Sequence, residues 1–541
     1  MANQPVYLRP NVVAEPLFND WYAWAYLVSP VTAAMYVANF HLKIMQSFVS
    51  APQLHVNALK NPEMIGGPYI NYAPERVNDV RALLQKTIRE QTSLFELSKA
   101  VAALEKMLAG EEANGYSLEP LYAKVPAPLK GYVELLYDLN NHPSVRFIEG
   151  LLYRSPYYDQ TLQSVLLFPV EGDDRPFVFS TPRLDDESRL RLRTPFADES
   201  WDALFRMRFS ADSFERICEV CRIDAAQEDS FRAMFTATEP RRPEKFEGEG
   251  VRIRYFGHAC ALIESKHVSI LSDPVIGYEH GQGLPRLSLN DLPESIDYVV
   301  ITHNHADHLM FETLLPLRHK IKNIIVPKNN GGSLADPSLK LALRHTGFQN
   351  VFEIDEMESI PVHGGAITGL PFLGEHCDLN IRTKSIYHVQ LEGRSVVLAA
   401  DSNNIEPELY GHLHELTGDI DVLLIGLECD GAPMSWLYGP LATKPLARRN
   451  DQSRRTNASN YAMSIDIVDR LKPKHVYIYA MGQEPWLTYV TSIKYTDDSL
   501  PIREARRLVN ECRERGLAAE LLYGTKDIVL TPAASAAGRR V

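Results

Sequence analysis

The sequence predicts an α/β protein in which a mixed α+β domain, residues 1–236, precedes a larger domain with two sheets between helices, residues 251–530. In the larger domain, short apolar runs rich in β-branched residues alternate with patterns of helical period. The first domain combines amphipathic helical stripes with strand-like runs. Between the two, residues 237–250 hold proline, glycine and alternating charges and almost no apolar side chain, which is typical of a linker.

Two long helices are predicted in the first domain. Apolar residues recur at helical spacing in residues 77–88, just after Pro74. A second apolar stripe follows Ser93 and Glu96, which together have the spacing of a capping box, and Gly110 is placed to end that helix. The sequence therefore predicts that Ser93 begins the second helix.

The same domain contains strand-like runs and an aromatic cluster near its start. Residues 164–170 and 176–180 predict a hairpin around the turn residues between them. The aromatic side chains form either core or an interface, with core as the default expectation. They are Trp21, Tyr22, Trp24 and Tyr26. From this large domain without a metal-ligand cluster we expect homodimerisation and a contribution to the docking of a partner.

The larger domain opens with the alternating strand 251–255 and continues with buried strands separated by helices. The other predicted strands are residues 270–272, 299–301, 321–326, 351–354, 385–391, 395–400, 422–425 and 476–480, and the clearest helices are residues 311–319 and 462–471. Residues 531–541 are small and polar and are expected to be disordered.

Metal ligands concentrate where the strand 299–301 ends. His303 and His305 lie two residues apart, so an extended chain directs both rings to one side. Asp307 and His308 follow as the chain turns. Imidazole and carboxylate together suit zinc, iron or manganese, and two metals roughly 3.5–4 Å apart are the usual purpose of so many ligands in one loop. The alternative, a polar turn of surface histidines, fits a single histidine better than this group.

A dinuclear site needs further ligands, and two later runs supply candidates. Glu375 and His376 follow a strand and offer a carboxylate beside an imidazole. Asp401 ends the buried run 396–400, and the two oxygens of a carboxylate can each hold one cation. Spacing alone therefore predicts a dinuclear site without fixing its chemistry.

The motif His303-x-His305-x-Asp307-His308 after a hydrophobic strand resembles the metallo-β-lactamase superfamily, an αββα sandwich with a dinuclear metal site at one edge. That resemblance implies that Asp401 bridges the metals. It also implies that Asp273 supports a ligand histidine through its other ring nitrogen, although a turn cap is nearly as good an explanation of Asp273. Hydrolases of the superfamily usually have a histidine where Glu375 and His376 fall, and Met481 stands where another is expected. More carboxylate and less imidazole favours iron or manganese over zinc.

Several strings outside the metal ligands are similar to the diiron β-hydroxylases of chloramphenicol biosynthesis and related nonribosomal peptide pathways. They are residues 302–305, 370–376, 400–402, 436–441, 451–455 and 479–482. The resemblance implies two non-haem iron ions, with His303, His305 and Glu375 on one, Asp307 and His308 on the other, and Asp401 as the bridge. Glu375 and Asp401 are then the catalytic carboxylates, while His376 remains an alternative ligand to Glu375.

The resemblance further implies a monooxygenase that uses O2 to hydroxylate the β-carbon of an amino acid tethered as a thioester to a nonribosomal peptide synthetase carrier domain. Electrons come from an external reductase or ferredoxin-type donor, because the sequence has no flavin or nicotinamide fingerprint. The alternatives are a dinuclear-metal hydrolase, namely a thioesterase, lactonase or phosphodiesterase, and a non-catalytic partner that docks a carrier.

Composition limits the partners. A net charge of -13 and a pI of about 5.8 argue against binding to nucleic acid. Six cysteines in 541 residues do not form a disulfide framework, and Cys218 and Cys221 fit a helix with buried thiols better than a redox pair. No signal peptide or membrane span is apparent, so we expect a soluble, cytoplasmic protein.

One basic segment stands out in this acidic chain. Lys444 and four arginines fall within residues 444–455, in a connection expected to be long and irregular. The arginines are Arg448, Arg449, Arg454 and Arg455. As a group they are expected to bind the phosphate of a phosphopantetheine arm and face an acidic carrier, because the planar guanidinium group binds phosphate through two hydrogen bonds. The alternative for any one of them is a solvated arginine that pairs with a nearby acid.

Overall fold

The computed structural model describes residues 5–61, 64–186 and 188–532, so most of the predicted tail lies outside the described residues. The strands of the first domain are β1 Tyr7–Leu8, β2 Val12–Phe18, β3 Trp21–Tyr22, β4 Val133–Tyr137, β5 Pro143–Phe147, β6 Gln163–Pro169, β7 Leu190–Leu192 and β8 Phe235–Thr236. Its helices are α1 Ala25–Val28, α2 Pro30–Tyr36, α3 Leu42–Ser50, α4 Pro52–Ala58, α5 Val77–Glu90, α6 Thr92–Ala109, α7 Glu149–Leu152, α8 Ser200–Arg206, α9 Phe214–Cys221 and α10 Glu228–Arg232.

A four-stranded sheet of order β3-β2-β6-β7 is the centre of the first domain, and it corrects the predicted hairpin. Residues 176–180 form no strand, and β6 pairs instead with β2, which lies about 150 residues earlier in the chain. Helix α5 follows the prediction. Helix α6 begins at Thr92 with Gln91 as its N-cap, so the prediction that Ser93 caps it is wrong.

The larger domain contains two seven-stranded sheets. Their strands are β9 Val251–Gly257, β10 Cys260–Glu264, β11 Ser269–Ser272, β12 Ile296–Val300, β13 Ile321–Pro327, β14 Val351–Ile354, β15 Ser359–Val362, β16 Gly365–Leu370, β17 Ile386–Leu391, β18 Arg394–Leu398, β19 Val422–Ile425, β20 His475–Ile478, β21 Ala518–Leu521 and β22 Lys526–Leu530. The helices are α11 Phe311–Leu317, α12 Leu339–His345, α13 Glu408–Thr417, α14 Met434–Leu437, α15 Arg448–Ser453, α16 Tyr461–Leu471, α17 Thr488–Thr491 and α18 Leu500–Glu514.

Each sheet is half parallel and half antiparallel. The first has the order β14-β13-β12-β11-β10-β9-β22 and the second β15-β16-β17-β18-β19-β20-β21. Their inner faces share one apolar core that includes Ile253, Tyr387 and Val396. Helices α13, α16 and α18 cover the outer face of the second sheet. This is the predicted sandwich of two sheets between helices.

The first domain covers the outer face of the first sheet together with α11 and α12, so a single apolar cluster runs through both domains. A buried ion-pair network crosses the same boundary. Arg175 binds Glu15 of β2 and also Glu312 of α11, the latter at 2.8 Å, while Arg183 binds Glu15 at 2.6 Å. The guanidinium group of Arg175 also lies 3.6 Å from the ring centre of Tyr489. Buried ion pairs and a shared apolar cluster therefore join the two domains.

The aromatic residues near the start are buried within the chain. Trp21, Tyr22, Trp24 and Tyr26 are each at most 4% exposed. The default expectation of core packing is therefore confirmed, and these rings do not form a free surface for a second copy of the chain.

Cys218 and Cys221 lie on α9, and all six cysteines are free. Nowhere in the described ranges is a helix both long and apolar enough to cross a membrane.

Candidate metal centre and its cavity

The candidate ligands lie at one edge of the sandwich, where strands of both sheets end. Strand β12 leads into His303, His305, Asp307 and His308, and the segments after β16 and β18 carry Glu375 and Asp401. The carboxyl ends of β12 in the first sheet and of β16 and β18 in the second sheet meet at this edge, which brings together residues about 100 positions apart in the chain.

The donor atoms form three overlapping groups in which all ligand atoms lie within 4.8 Å of one another. The groups are His303–His305–Glu375, His303–His308–Asp401 and His258–Asp307–His308. The structure thus brings together all six residues that the sequence nominated as metal ligands. Asp401 lies between two of the histidines, because its Oδ2 is 2.9 Å from Nε2 of His308 and 3.8 Å from Nε2 of His303.

Asp273 orients His308 from below, as predicted. Its Oδ2 lies 2.9 Å from Nδ1 of His308, and its Oδ1 accepts a hydrogen bond from the backbone N–H of Thr302. Because Nδ1 is engaged, Nε2 of His308 is directed into the metal centre. A carboxylate behind the ring also makes the imidazole a better ligand.

His258 lies beside Asp307, a position that the sequence did not predict, since it indicated only that His258 belongs to a turn. The backbone N–H of Gly482 donates to its Nδ1 at 3.0 Å, so the ring proton sits on Nε2. That nitrogen lies 3.4 Å from Oδ2 of Asp307. We therefore assign His258 the role of a donor that orients Asp307 rather than that of a metal ligand. Burial raises the pKa of Asp307, but His258 and His308 outweigh it and hold this pKa well below its ordinary value.

Glu375 is better placed than His376 to bind a metal. Its Oε1 lies 3.0 Å from Nδ1 of His305, whose Nε2 lies 2.9 Å from the hydroxyl group of Tyr438. Nε2 of His376 instead lies 3.3 Å from the side-chain oxygen of Asn304, and His376 belongs to none of the three donor groups.

Met481 packs in the core, where its sulfur accepts a hydrogen bond from the backbone N–H of Leu427.

The donor atoms fit metal ions because two of them are buried without a hydrogen-bond partner in the described part of the chain. They are Nε2 of His303 and Oδ1 of Asp401. Unpartnered buried polar atoms are costly, so their convergence on one point indicates a cationic ligand. Burial also lowers the pKa of His303 and raises that of Glu375, the directions that low-dielectric surroundings impose.

Five residues at the edge have positive φ although none is glycine. They are His258, Asp273, Glu375, Ala400 and Ala480, with φ between 33° and 67°. Four of them immediately follow or lie close behind the ends of β9, β11, β18 and β20. Strained backbone of this kind persists where the surrounding structure enforces it, and it is frequent at functional sites.

A cavity of about 1150 Å³ opens onto this edge. His305, Asp307, Glu375 and Asp401 lie at its base. The first domain supplies an aromatic wall, which consists of Trp21, Tyr22, Trp24, Tyr36, Phe40, Phe177 and Phe179. The sequence showed these rings but not their position, since they meet the metal ligands only through the contact between the two domains.

The four arginines separate into different environments. Arg448 and Arg455 line the cavity. Arg449 is exposed and does not line it, and Arg454 donates through Nε to the carbonyl of Cys377. Arg455 also pairs with Asp430 at 3.3 Å. Helix α15 carries Arg448, so the expectation of an irregular connection is corrected at this point.

Two family models match the chain. One, described as the N-terminal domain of diiron non-heme β-hydroxylases, matches residues 7–240, and the other, a β-lactamase superfamily domain, matches residues 269–459. The chain is 38% identical over 524 residues to a 4-amino-L-phenylalanyl-[CmlP-peptidyl-carrier-protein] 3-hydroxylase of Streptomyces venezuelae, which covers 95% of this chain and 98% of the relative.

Solved structures agree with this result. The crystal structure of CmlA, a diiron β-hydroxylase from Streptomyces venezuelae, superposes with a TM-score of 0.91 at 38% identity, covering 97% of this chain and 99% of that chain. A variant of CmlA matches with a TM-score of 0.89 at 37% identity, covering 97% and 100% of the two chains. The resemblance and the fold class inferred from the sequence are both confirmed.

Proposed function

The chain belongs to the family of diiron non-heme β-hydroxylases, and from that premise we propose that it hydroxylates the β-carbon of an amino acid held as a thioester on a carrier protein. The single observation that carries the proposal is the convergence of three imidazole and three carboxylate side chains at the base of a cavity whose walls come from both domains. Zinc hydrolases of this superfamily usually have more imidazole ligands, whereas a donor set richer in carboxylate suits iron.

Six residues would hold the irons. In the proposed arrangement His303, His305 and Glu375 bind one ion, Asp307 and His308 bind the other, and Asp401 lies between them. The three donor groups contain these six residues and one other, His258, to which we assign the orientation of Asp307. Two irons held by these residues would supply the activation of O2. With two electrons from an external donor and two protons, one oxygen atom would be inserted into the C–H bond and the other would be released as water.

The protein's own residues prepare the site for that chemistry. Asp273 fixes the ring of His308, and the hydroxyl group of Tyr438 fixes that of His305. The aromatic wall gives the cavity an apolar side and offers rings on which a substrate can stack. This wall supports a substrate with an apolar or aromatic side chain. Electrons are proposed to come from a reductase or ferredoxin-type protein.

Arg448 and Arg455 are proposed to receive the carrier. Both line the cavity, and the side chain of Arg448 has neither an ion pair nor a hydrogen bond in the described part of the chain. An exposed guanidinium group at a cavity mouth suits the phosphate of a phosphopantetheine arm. Arg449 and Arg454 are not part of this proposal, because Arg449 does not line the cavity and Arg454 donates to a backbone carbonyl.

We propose that the first domain forms a homodimer through a surface other than the aromatic residues near its start. The aromatic residues near the start are buried, but Tyr116 and Leu139 are 77% and 103% exposed in the segments around the β4–β5 hairpin. The hydroxyl group of Tyr137 in β4 donates to the carbonyl of Tyr116, so both exposed side chains belong to one region of the first domain, and exposed apolar surface favours association. Light scattering on the intact chain should give the mass of two chains, and substitution of both residues by serine should give the mass of one.

The proposed reaction is tested with an aminoacyl-loaded carrier protein, chemically reduced enzyme and O2. Mass spectrometry should show a hydroxylated amino acid that is still attached to the carrier. Release of the unmodified amino acid without O2 uptake would instead show a thioesterase, the hydrolase alternative.

A further inference from the structure

Glu428 places a carboxyl group in the cavity wall beside the metal centre, and the proposed function leaves it without a role. It follows the end of β19 by three residues, much as Asp401 follows the neighbouring parallel strand β18. The backbone N–H of Ala458 donates to the carbonyl of Glu428 at 3.0 Å, which fixes its main chain. Throughout the described ranges, however, no hydrogen bond or ion pair engages its side chain.

The surroundings of this carboxyl are acidic. Burial, followed by the negative charges of Asp401, Asp307 and Glu375, raises the pKa of Glu428 well above its ordinary value. Those three neighbours belong to donor groups that suit metal ions, whereas Glu428 belongs to none of them. Among the described residues, Glu428 therefore has neither a proposed metal ion nor a basic side chain as a partner.

We propose that Glu428 binds the α-ammonium group of the aminoacyl thioester and thereby positions the β-carbon against the metal centre. The inference rests on the proposed function. An amino acid whose carboxyl group is esterified still carries its ammonium group, so every substrate of this class brings one positive charge to the cavity. A carboxylate and an ammonium group form a charge-assisted hydrogen bond, which is roughly twice as strong as a neutral one.

The geometry of the substrate explains why this contact matters. The nitrogen and the β-carbon are both bonded to the α-carbon, so a fixed ammonium group limits the β-carbon to a small arc. Displacement of a reacting atom by about 1 Å can slow a reaction on the order of 100-fold. With the phosphate at Arg448 and the ammonium group at Glu428, the substrate is held at both ends.

Other partners for Glu428 fit less well. Lys494 lines the same cavity but does not approach within ion-pairing distance of Glu428 in the described structure. A third metal ion would need further donors, and the donor groups found among the described residues do not include Glu428. A free carboxylate in a partly dry pocket is costly, and a ligand with a positive charge removes that cost.

The test compares E428Q with the wild-type enzyme on two carrier-bound substrates, one with a free α-amine and one with the α-amine N-formylated. Loss of one member of a hydrogen-bonded charge pair costs on the order of 2 kcal/mol or more, so N-formylation should lower kcat/KM of the wild type at least about 30-fold. In E428Q the two substrates should react at similar rates. A variant that keeps the full wild-type preference for the free amine would overturn the inference.

Binding is measured separately, so that it does not depend on turnover. The probe is an aminoacyl-pantetheine analogue with an amide in place of the thioester, and quenching of Trp21 and Trp24 in the cavity wall reports its occupancy. The wild type should prefer the free-amine form over the N-formyl form, and E428Q should not. If this preference is present but no hydroxylation occurs, the role of Glu428 stands and the proposed reaction fails.

Asp430→Asn is the matched control. Asp430 also lines the cavity, but it is paired with Arg455, so its variant should retain the preference for the free amine. Equal loss of preference in both variants would show a general effect of negative charge and overturn the specific role of Glu428. Loss of iron from E428Q would also overturn it, since it would make Glu428 a metal ligand.

Discussion

Gly426 lies so close to Asp401 that a Cβ atom on Gly426 would stand 2.6 Å from Oδ1 of the carboxylate. The same atom would stand 2.8 Å from the carbonyl oxygen of Ala400, to which the backbone N–H of Gly426 donates at 2.8 Å. Two neighbouring parallel strands, β18 and β19, therefore approach one another at the metal centre only because this position has no side chain.

Gly426→Ala should displace the carboxylate of Asp401 and weaken metal binding. The carbonyl oxygen of Ala400 belongs to the backbone and cannot move away cheaply, so the displacement falls on the side chain of Asp401. Metal analysis of the purified variant should show less iron per chain than the wild type. Gly150→Ala is the control, because a Cβ there meets nothing within 4 Å. Full iron content in Gly426→Ala would contradict the proposed role of Asp401.

Asp401 and Asp273 should differ in the severity of their variants. Asp401→Ala removes the carboxylate between His303 and His308, so at least one iron and nearly all activity should be lost. Asp273→Asn keeps the shape of a side chain that only orients His308, and metal affinity should fall roughly 10–100-fold. Titration of the metal-free variants with iron measures both effects. Equal iron affinity in Asp401→Ala and the wild type would exclude a bridging carboxylate.

Arg448→Glu should weaken turnover of a carrier-bound substrate and leave the iron content unchanged. Screening weakens the attraction between Arg448 and phosphate in the wild type, so the difference between the two proteins should shrink as the salt concentration rises. Arg449→Glu changes charge by the same amount outside the cavity and serves as the control. Equal effects of the two substitutions would place the carrier elsewhere.

The ion-pair network around Glu15 should make the protein sensitive to acid. Burial raises the pKa of Glu15, but Arg183 and Arg175 outweigh it and hold this pKa below its ordinary value. The folded state therefore binds fewer protons at Glu15 than the unfolded state does. The stabilisation is fully present above the ordinary glutamate pKa of about 4.3 and is lost as the pH falls below it.

Removal of Glu15 tests the same network at neutral pH. Glu15→Gln leaves two buried arginines short of a charge, and breaking such a buried pair costs about 3–5 kcal/mol in the free energy of unfolding. Denaturant titration measures the change. Glu134→Gln breaks an exposed pair with Arg146 and should cost less than about 1 kcal/mol. Similar costs for both variants would show that the network does not fix the two domains together.

The sequence allowed much of the larger domain to be predicted because its strands are short, buried and followed directly by polar residues. His303, His305, Asp307 and His308 could be found because one loop contains them all. Asp401 could be found because it ends a buried apolar run. At these residues the apolar run that precedes each ligand was enough to predict its place at the end of a strand, so contacts with distant parts of the chain did not have to be known.

Other features depend on contacts between distant parts of the chain. The partner of β6 is β2 rather than the following residues 176–180, a choice that local turn residues do not determine. Trp21 and Trp24 reach the cavity only because the first domain packs on the first sheet. His258 has a role that depends on the backbone of Gly482, more than 200 residues away. Such relationships leave no periodic pattern in the sequence.

The most direct test of the account is to follow labelled oxygen through the reaction. Enzyme purified without added metal should contain about two irons per chain. After chemical reduction, exposure to ¹⁸O2 in the presence of an aminoacyl-loaded carrier should place one labelled atom on the β-carbon, as mass spectrometry of the released amino acid would show. A protein that contains zinc, consumes no O2 and releases the unmodified amino acid from the carrier would contradict the account.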